Sequence, residues 1–506
     1  MEKIKQTLRD SKTARWAALA IVAFTMLTGY LFTEIISPLK PLLESELGWT
    51  SSDFGWVTGA YGWFNVFLGM LIIAGIILDR IGIRFSAITS ALIMVIGAGI
   101  KFYSIRYLSG DQTVHFIFAD FKVQVLGAAL GYALFGVGVE FAGITVSRVI
   151  VKWFKGKEMA LAMGLEMACA RLGTFAAMAF APFFARHFSI STAVLIAGLL
   201  LVIGLITFIV YYAMDVKLDK EQEGNEPDFS EEKFRLRDIG VIFSSSGFWL
   251  IALLCVLFYS AVFPFYKYGT DLMFNKYGVS MDFASYIPSI LPFGTLFLTP
   301  FFGNLYDRKG KGASIMILGA ILLIIVHTVL FIPGLTSKFV AIVAVITLGI
   351  GFSLVPSAMW PSVPKIIREN LLGTAYALIF FIQNIGLMVV PTVLGKVLDA
   401  TNPEVTEKIN YYKDLLKAGT PPPETTQVID TMVAAGKLES NTQFTSTQIS
   451  NIIIKLREAE VIPMYNYTTT WTIFVGLSLA ALVFAIMLKA NDKKKGYGLE
   501  LPNIKK

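Results

Sequence analysis

Twelve long apolar segments leave this chain little choice of environment. They begin near Trp16, Phe54, Phe85, Val123, Met159, Ser191, Phe248, Phe283, Ser314, Val340, Gly373 and Thr470. A helix needs about 20 largely apolar residues to cross the hydrocarbon core of a bilayer, and 506 residues accommodate twelve such helices with their loops. Hydrophobic residues make up 55% of the chain against 16% charged, a balance that excludes a soluble domain. The fold class expected is an all-α membrane protein with the bilayer as its surroundings.

Charge then orients the spans. Lys3, Lys5, Arg9, Lys12 and Arg15 precede the first segment, which has no small-residue cleavage site after it and so reads as a retained helix. Basic residues recur in alternate loops: Arg80 and Arg84; Arg148, Lys152, Lys155 and Lys157; Lys233, Arg235 and Arg237; Arg308, Lys309 and Lys311; Lys365 and Arg368; and the tail from Lys489. By the positive-inside rule these loops and both termini face the cytoplasm. The net charge of +7 is therefore loop asymmetry, and no nucleic-acid partner is expected.

Two connections are long. Residues 215–240 form a charged linker, which divides the chain into an N-terminal six-helix bundle, 1–214, and a C-terminal one, 241–506. A second stretch, about 400–467, is an insert on the extracytoplasmic side, with helical spacing over Val405 to Lys417 and Ile449 to Val461.

The two halves carry the same loop. After the second span the chain reads GIILDRIGIRFS, with Gly75, Asp79, Arg80, Gly82 and Arg84. After the eighth it reads GNLYDRKGKGAS, with Gly303, Asp307, Arg308, Gly310 and Lys311. One pattern at equivalent places in both halves is what parallel duplication produces. The leading glycine permits close helix approach, and the aspartate can meet the positive end of a helix dipole. Gly75, Asp79, Arg80, Arg84, Gly303, Asp307 and Arg308 are thus candidates for a conformational switch. Topogenic charge alone would not require the glycine and aspartate spacing.

This loop pattern resembles the signature of the major facilitator superfamily. The resemblance implies two pseudo-symmetric six-helix bundles around a central cavity, rocking to expose it to either side. A finer likeness lies in WFKGKEMALAMGLEMACARLGT (Trp153 to Thr174), YSAVFPF (Tyr259 to Phe265), MWP (Met359 to Pro361), LGTAYALIFFIQNIGL (Leu372 to Leu387), YGWFN (Tyr61 to Asn65) and Glu140. These stretches are similar to the family of the lysosomal dipeptide transporter and its bacterial relatives, whose activity implies a secondary carrier of small peptides. The chain departs from lysosomal members in its insert, its short basic N-terminus and Glu166, where an uncharged amide is expected. A bacterial inner membrane is accordingly the expected location.

An ionisable group at bilayer depth costs several kcal/mol unless it faces a partner or a wet cavity. Counting from the loop around Lys152, Glu140 sits roughly 15 Å into the membrane, and Arg171 lies at similar depth on the next span. Short-looped spans are antiparallel neighbours, so the two are expected to meet near the midplane. Glu140 suits a peptide ammonium, and the planar guanidinium of Arg171 suits a carboxylate. The bland role is an ion pair that ties two helices together. Glu34 is a second acid for the ammonium, or else a residue near the outer end facing water beside Lys40. Glu166, five residues before Arg171, is either a proton-coupling carboxylate or a structural partner of Arg171. Tyr61, Trp63, Asn65, Tyr259, Trp360, Gln383 and Asn384 are candidate cavity-lining groups, although helix packing explains any one of them as well.

Cys169 and Cys255 lie in apolar segments, the three histidines are scattered, and no phosphate-binding loop is present. No metal, cofactor or enzymatic chemistry is expected, and the chain is expected to work as a monomer. Two rivals to a peptide carrier stand: a carrier of organic anions such as monocarboxylates, and a membrane scaffold or receptor whose working surface is the insert.

Overall fold

The computed structural model describes residues 8–503 apart from 118, 155–156, 223–237, 369–370, 437 and 439–442. Lys3, Lys5, Lys155, Lys233, Arg235 and Arg237 lie outside the described residues, as does most of the linker. The spans are Lys12–Glu34, Ser51–Gly59 continued by Trp63–Phe67 and Met70–Ile81, Ile83–Tyr107, Val123–Phe154, Met159–His187, Ile190–Gln222, Ser246–Asn275, Tyr286–Lys309, Gly312–Phe331, Lys338–Ile366, Leu372–Thr401 and Thr468–Lys495. Among the described residues eleven helices are long and apolar enough to cross a membrane, and the bent second span makes twelve. All twelve begin within four residues of the positions expected from sequence.

Local signals explain several boundaries. Ser11 caps the first span by accepting from the Ala14 amide. Thr50 and Asp53 form a reciprocal capping box at the second. The second span bends by 56° at Gly69, whose φ of +60° few other residues tolerate. This sharp bend carries no proline. The sixth helix continues to Gln222, so Asp215 and Asp219 belong to the span and not to the linker. An antiparallel hairpin, Thr113–Phe116 with Ala119–Lys122, joins the third and fourth spans and has no strong sequence signal.

Glycines set the packing inside each half in parallel ways. A Cβ on Gly97 would lie 2.4 Å from the Phe135 nitrogen, locking the third span to the fourth, and one on Gly319 would lie 2.4 Å from Val355, locking the ninth to the tenth. The chain is therefore a multi-pass, all-α membrane protein built of two related bundles.

The halves meet on the face that carries the insert. Positions for Cβ atoms on Gly55, Gly59 and Gly62 fall 2.6, 2.5 and 2.8 Å from Pro391, Met388 and Met388 of the eleventh span. Phe175 packs on Phe293 at 5.3 Å between the fifth and eighth spans, and Arg186 pairs with Asp282. Insert helices Pro403–Lys417, Pro423–Ala434 and Ser446–Glu458 cover this face; the middle one is an addition to the two expected.

The opposite face holds the duplicated loops. Nothing lies within 4 Å of a Cβ built on Gly75 or Gly303. The expectation of close helix approach at these two glycines is thus not met in this conformation.

Candidate functional site

Glu140, on the fourth span, is half-buried and accepts a hydrogen bond from the Tyr61 hydroxyl at 2.9 Å, with the Asn384 amide also against its carboxylate. Three spans from both halves therefore converge on this acid: the second, the fourth and the eleventh. Both partners are neutral donors.

Arg171 is placed elsewhere. Its guanidinium carbon stands 5.1 Å from the centre of the Phe352 ring on the tenth span, and one terminal nitrogen is buried with no hydrogen-bond partner among the described residues. The expected Glu140–Arg171 ion pair is not formed. A short loop makes two helices neighbours at one end only, and the first span packs between them along their length. A Cβ on Gly173 would lie 2.1 Å from the Leu27 carbonyl oxygen, which shows how closely the first span lies against the fifth.

Tyr30, on that first span, lies within electrostatic range of Arg171, Glu140, Glu166 and Glu34 at once. Tyr266 of the seventh span, near Arg171 and Glu34, has a buried hydroxyl without a partner among the described residues. Sequence reasoning passed over both tyrosines and Phe352, since a lone aromatic in an apolar run carries no signal of the direction it faces.

The other candidates divide. Trp360 donates from its indole nitrogen to the Tyr259 hydroxyl at 3.0 Å and stacks on Phe380 at 4.9 Å, forming an aromatic wall beside Phe352. Gln383 accepts from the Cys255 thiol at 3.4 Å and is buried, so it ties the seventh span to the eleventh. Asn65 is buried with both amide atoms unpartnered among the described residues. Trp63 departs from its expected place: it packs edge-on against Trp56 and Phe121 of the hairpin, away from Glu140, because it falls two residues after Tyr61 on a helix and so faces another side. Glu166 feels Arg171 electrostatically, with no hydrogen bond between the two.

Glu34 does not face water. It is 2% exposed, accepts from Lys267 of the seventh span at 2.8 Å and from Ser37, and so joins the two halves. Lys40, its expected neighbour in charge, instead pairs with Glu44 at 2.5 Å and with Asp271 at 2.8 Å. Arg457 of the insert reaches Glu44 at 3.3 Å and Asn275 at 2.6 Å, and Tyr467 donates to Asp271. This buried cluster seals the insert face.

On the loop face Asp79 accepts from Arg148 at 2.8 Å. Arg84 binds Asp215 at 2.9 Å and pairs with Asp219, and Lys152 joins both acids at 2.8 and 2.7 Å. In the second copy Asp307 accepts from Asn503 of the C-terminal tail at 2.8 Å. Arg80 and Arg308 are exposed.

Two duplicated helical bundles, sealed at one membrane face and enclosing charged and aromatic side chains, define a membrane transporter and not an enzyme. The sequence profile of the Major Facilitator Superfamily matches residues 22–391, and the chain belongs to that family. The human lysosomal dipeptide transporter MFSD1 is 29% identical over 337 residues, covering 64% of this chain and 68% of the relative. Its mouse counterpart is 30% identical over 347 residues, covering 66% and 70%. In fold the chain is similar to a bacterial homologue of the human lysosomal transporter Spinster, with a TM-score of 0.64, 13% identity and coverage of 96% and 98%. It is also similar to the nucleoside transporter NupG, with a TM-score of 0.59, 14% identity and coverage of 94% and 98%.

Proposed function

We propose that this protein carries small peptides, dipeptides above all, across the membrane by alternating access, with Glu140 receiving the peptide ammonium and Arg171 its carboxylate. One observation carries the reading: neither of these half-buried charges forms an ion pair among the described residues. Glu140 is held by the neutral Tyr61 and Asn384, and Arg171 lies over Phe352 with an unsatisfied donor. Uncompensated charge at membrane depth is expensive, and a zwitterion bridging the two would compensate both. Tyr30 and Tyr266, between the charged groups, would bond the peptide backbone, and Trp360, Tyr259 and Phe352 would bound the side-chain space. The similarity to dipeptide transporters supports the same substrate class.

The loop face, rich in lysine and arginine, is the cytoplasmic side in this reading, in a bacterial inner membrane, and one chain suffices for transport. The structure then corresponds to the state closed to the outside. A carrier of organic anions would need Arg171 alone, and replacement of Glu140 by Gln separates the two. In proteoliposomes that variant loses uptake of free-amine dipeptides if the proposal holds. An anion carrier would keep or gain transport of monocarboxylates and show no dipeptide uptake in either form.

A further inference from the structure

A second cluster lies between the substrate residues and the insert face. Lys101, on the third span, is 0% exposed, and its ammonium nitrogen has no hydrogen-bond partner among the described residues. It stands 3.8 Å from the centre of the Tyr132 ring and 5.3 Å from that of Phe32. Lys267 addresses the same Tyr132 ring at 6.0 Å while bonding Glu34 at 2.8 Å and the Thr33 carbonyl at 3.2 Å. The Tyr132 hydroxyl donates to that carbonyl at 2.6 Å. The groups facing Lys101 are thus Phe32 and Glu34 from the first span, Tyr132 from the fourth and Lys267 from the seventh.

Two lysines here share one carboxylate, and the carboxylate is committed to Lys267. Ring faces attract a cation, but by less than burying an ion costs. The sharing cannot persist through the transport cycle. Glu34, Lys101 and Tyr132 belong to the N-terminal half and Lys267 to the C-terminal half, so opening the insert face carries Lys267 away. Among the groups of this cluster, Lys101 is then the cation that stays with Glu34 in its own half.

We propose that Lys101 is a proton-binding site that gates the insert face, neutral while Lys267 holds Glu34 and protonated when the halves part and Glu34 becomes its counter-ion. The proton adds to the amine lone pair from water on the insert side and returns there when Lys267 recaptures the carboxylate. Acid on that side therefore favours the conformation open to it. The proposal rests on the transporter reading above and adds an ion whose binding is tied to the conformational change.

The test uses the substrate-free full-length protein, so it does not depend on which solute is carried. Spin labels at Tyr107→Cys and Phe339→Cys, on opposite halves at the insert face, replace the native Cys169 and Cys255, and distance distributions are recorded from pH 9 to pH 5. The long-distance population should grow severalfold on acidification. Lys101→Met should abolish that growth and stay closed throughout. Lys101→Arg, which cannot lose its proton, should hold the long distance enriched at every pH. Monodisperse behaviour and melting temperature report folding of each variant. An undiminished acid response in Lys101→Met overturns the proposal, and so does a Lys101→Arg protein that behaves like Lys101→Met. Loss of the response in Glu166→Gln with retention in Lys101→Met would move the role to Glu166 and overturn it equally.

Discussion

Lys40 and Asp271, on opposite halves of the molecule, form an ion pair 2.8 Å long in which neither side chain is exposed at all. Glu44, Arg457 and Tyr467 complete their surroundings, so two positive and two negative groups balance in a dry cluster that spans both halves and the insert. Removing one partner of such a pair leaves a buried charge unpaired and costs about 3 to 5 kcal/mol. Asp271→Asn is expected to unseal the insert face, seen as increased labelling of single cysteines placed there, with a lowered melting temperature. Unchanged labelling would show that the cluster does not hold the face shut.

The zipper of Gly55, Gly59 and Gly62 makes a second expectation. Valine at position 59 would drive its Cβ into the backbone carbonyl of Met388, which cannot yield as a flexible side chain can. Overpacking of this sort costs about 1 to 3 kcal/mol and bears only on the conformation in which the second and eleventh spans touch. Gly59→Val should therefore enrich the state open at the insert face, measurable by the same cysteine reporters. A variant that labels as the parent does would mean that the contact is dispensable to closure.

Asp79 is bonded to Arg148 within its own half in this conformation. When the loop face closes, its carboxylate is expected to meet the start of the eleventh span near Leu372 and Gly373, where free backbone N–H groups and the helix dipole favour an anion. That interaction is worth about 0.3 to 2 kcal/mol. Asp79→Asn should slow net transport, leave dipeptide affinity within a modest factor and raise labelling of loop-face cysteines. Asp307, tied to Asn503, should act more weakly. Labelling unchanged from the parent on both faces in Asp79→Asn would assign this loop to topology alone.

Arg171→Lys should fail as a conservative change. Lysine retains the charge but not the planar fork that binds a carboxylate through two parallel bonds. Uptake of dipeptides should fall strongly in folded protein. Near-normal uptake would take Arg171 out of the substrate site.

The reach of sequence reasoning in this chain follows the range of the physics. Span positions and the repeated loop depend on local composition, and all twelve helices start within four residues of expectation. That Glu140 falls in the fourth span and Arg171 in the fifth was also legible, because it depends on the same local composition. Their separation was not, since it depends on the first span passing between them. Glu34 was misread for the same reason: its partner, Lys267, is 233 residues away, and no local pattern links them. Lys101 carries no sequence signal, because the rings of Phe32 and Tyr132 that face it lie on other helices. The zipper glycines gave no signal beyond their spacing, whereas the leading glycines of the repeated loop, which did, make no close contact in this state.

The central claim is that two uncompensated charges, Glu140 and Arg171, read the two ends of one peptide. It is tested most directly by binding to the purified protein of four forms of one dipeptide: free, N-acetylated, C-amidated and doubly masked. Loss of one charge-assisted contact costs about 1.5 to 3 kcal/mol, so masking either end should weaken binding roughly tenfold to a hundredfold. In Glu140→Gln the free and N-acetylated forms should bind alike, while the penalty for amidation persists. An N-acetylated dipeptide that binds the parent protein as tightly as the free one would contradict the assignment of Glu140, and an amidated one that does so would contradict that of Arg171.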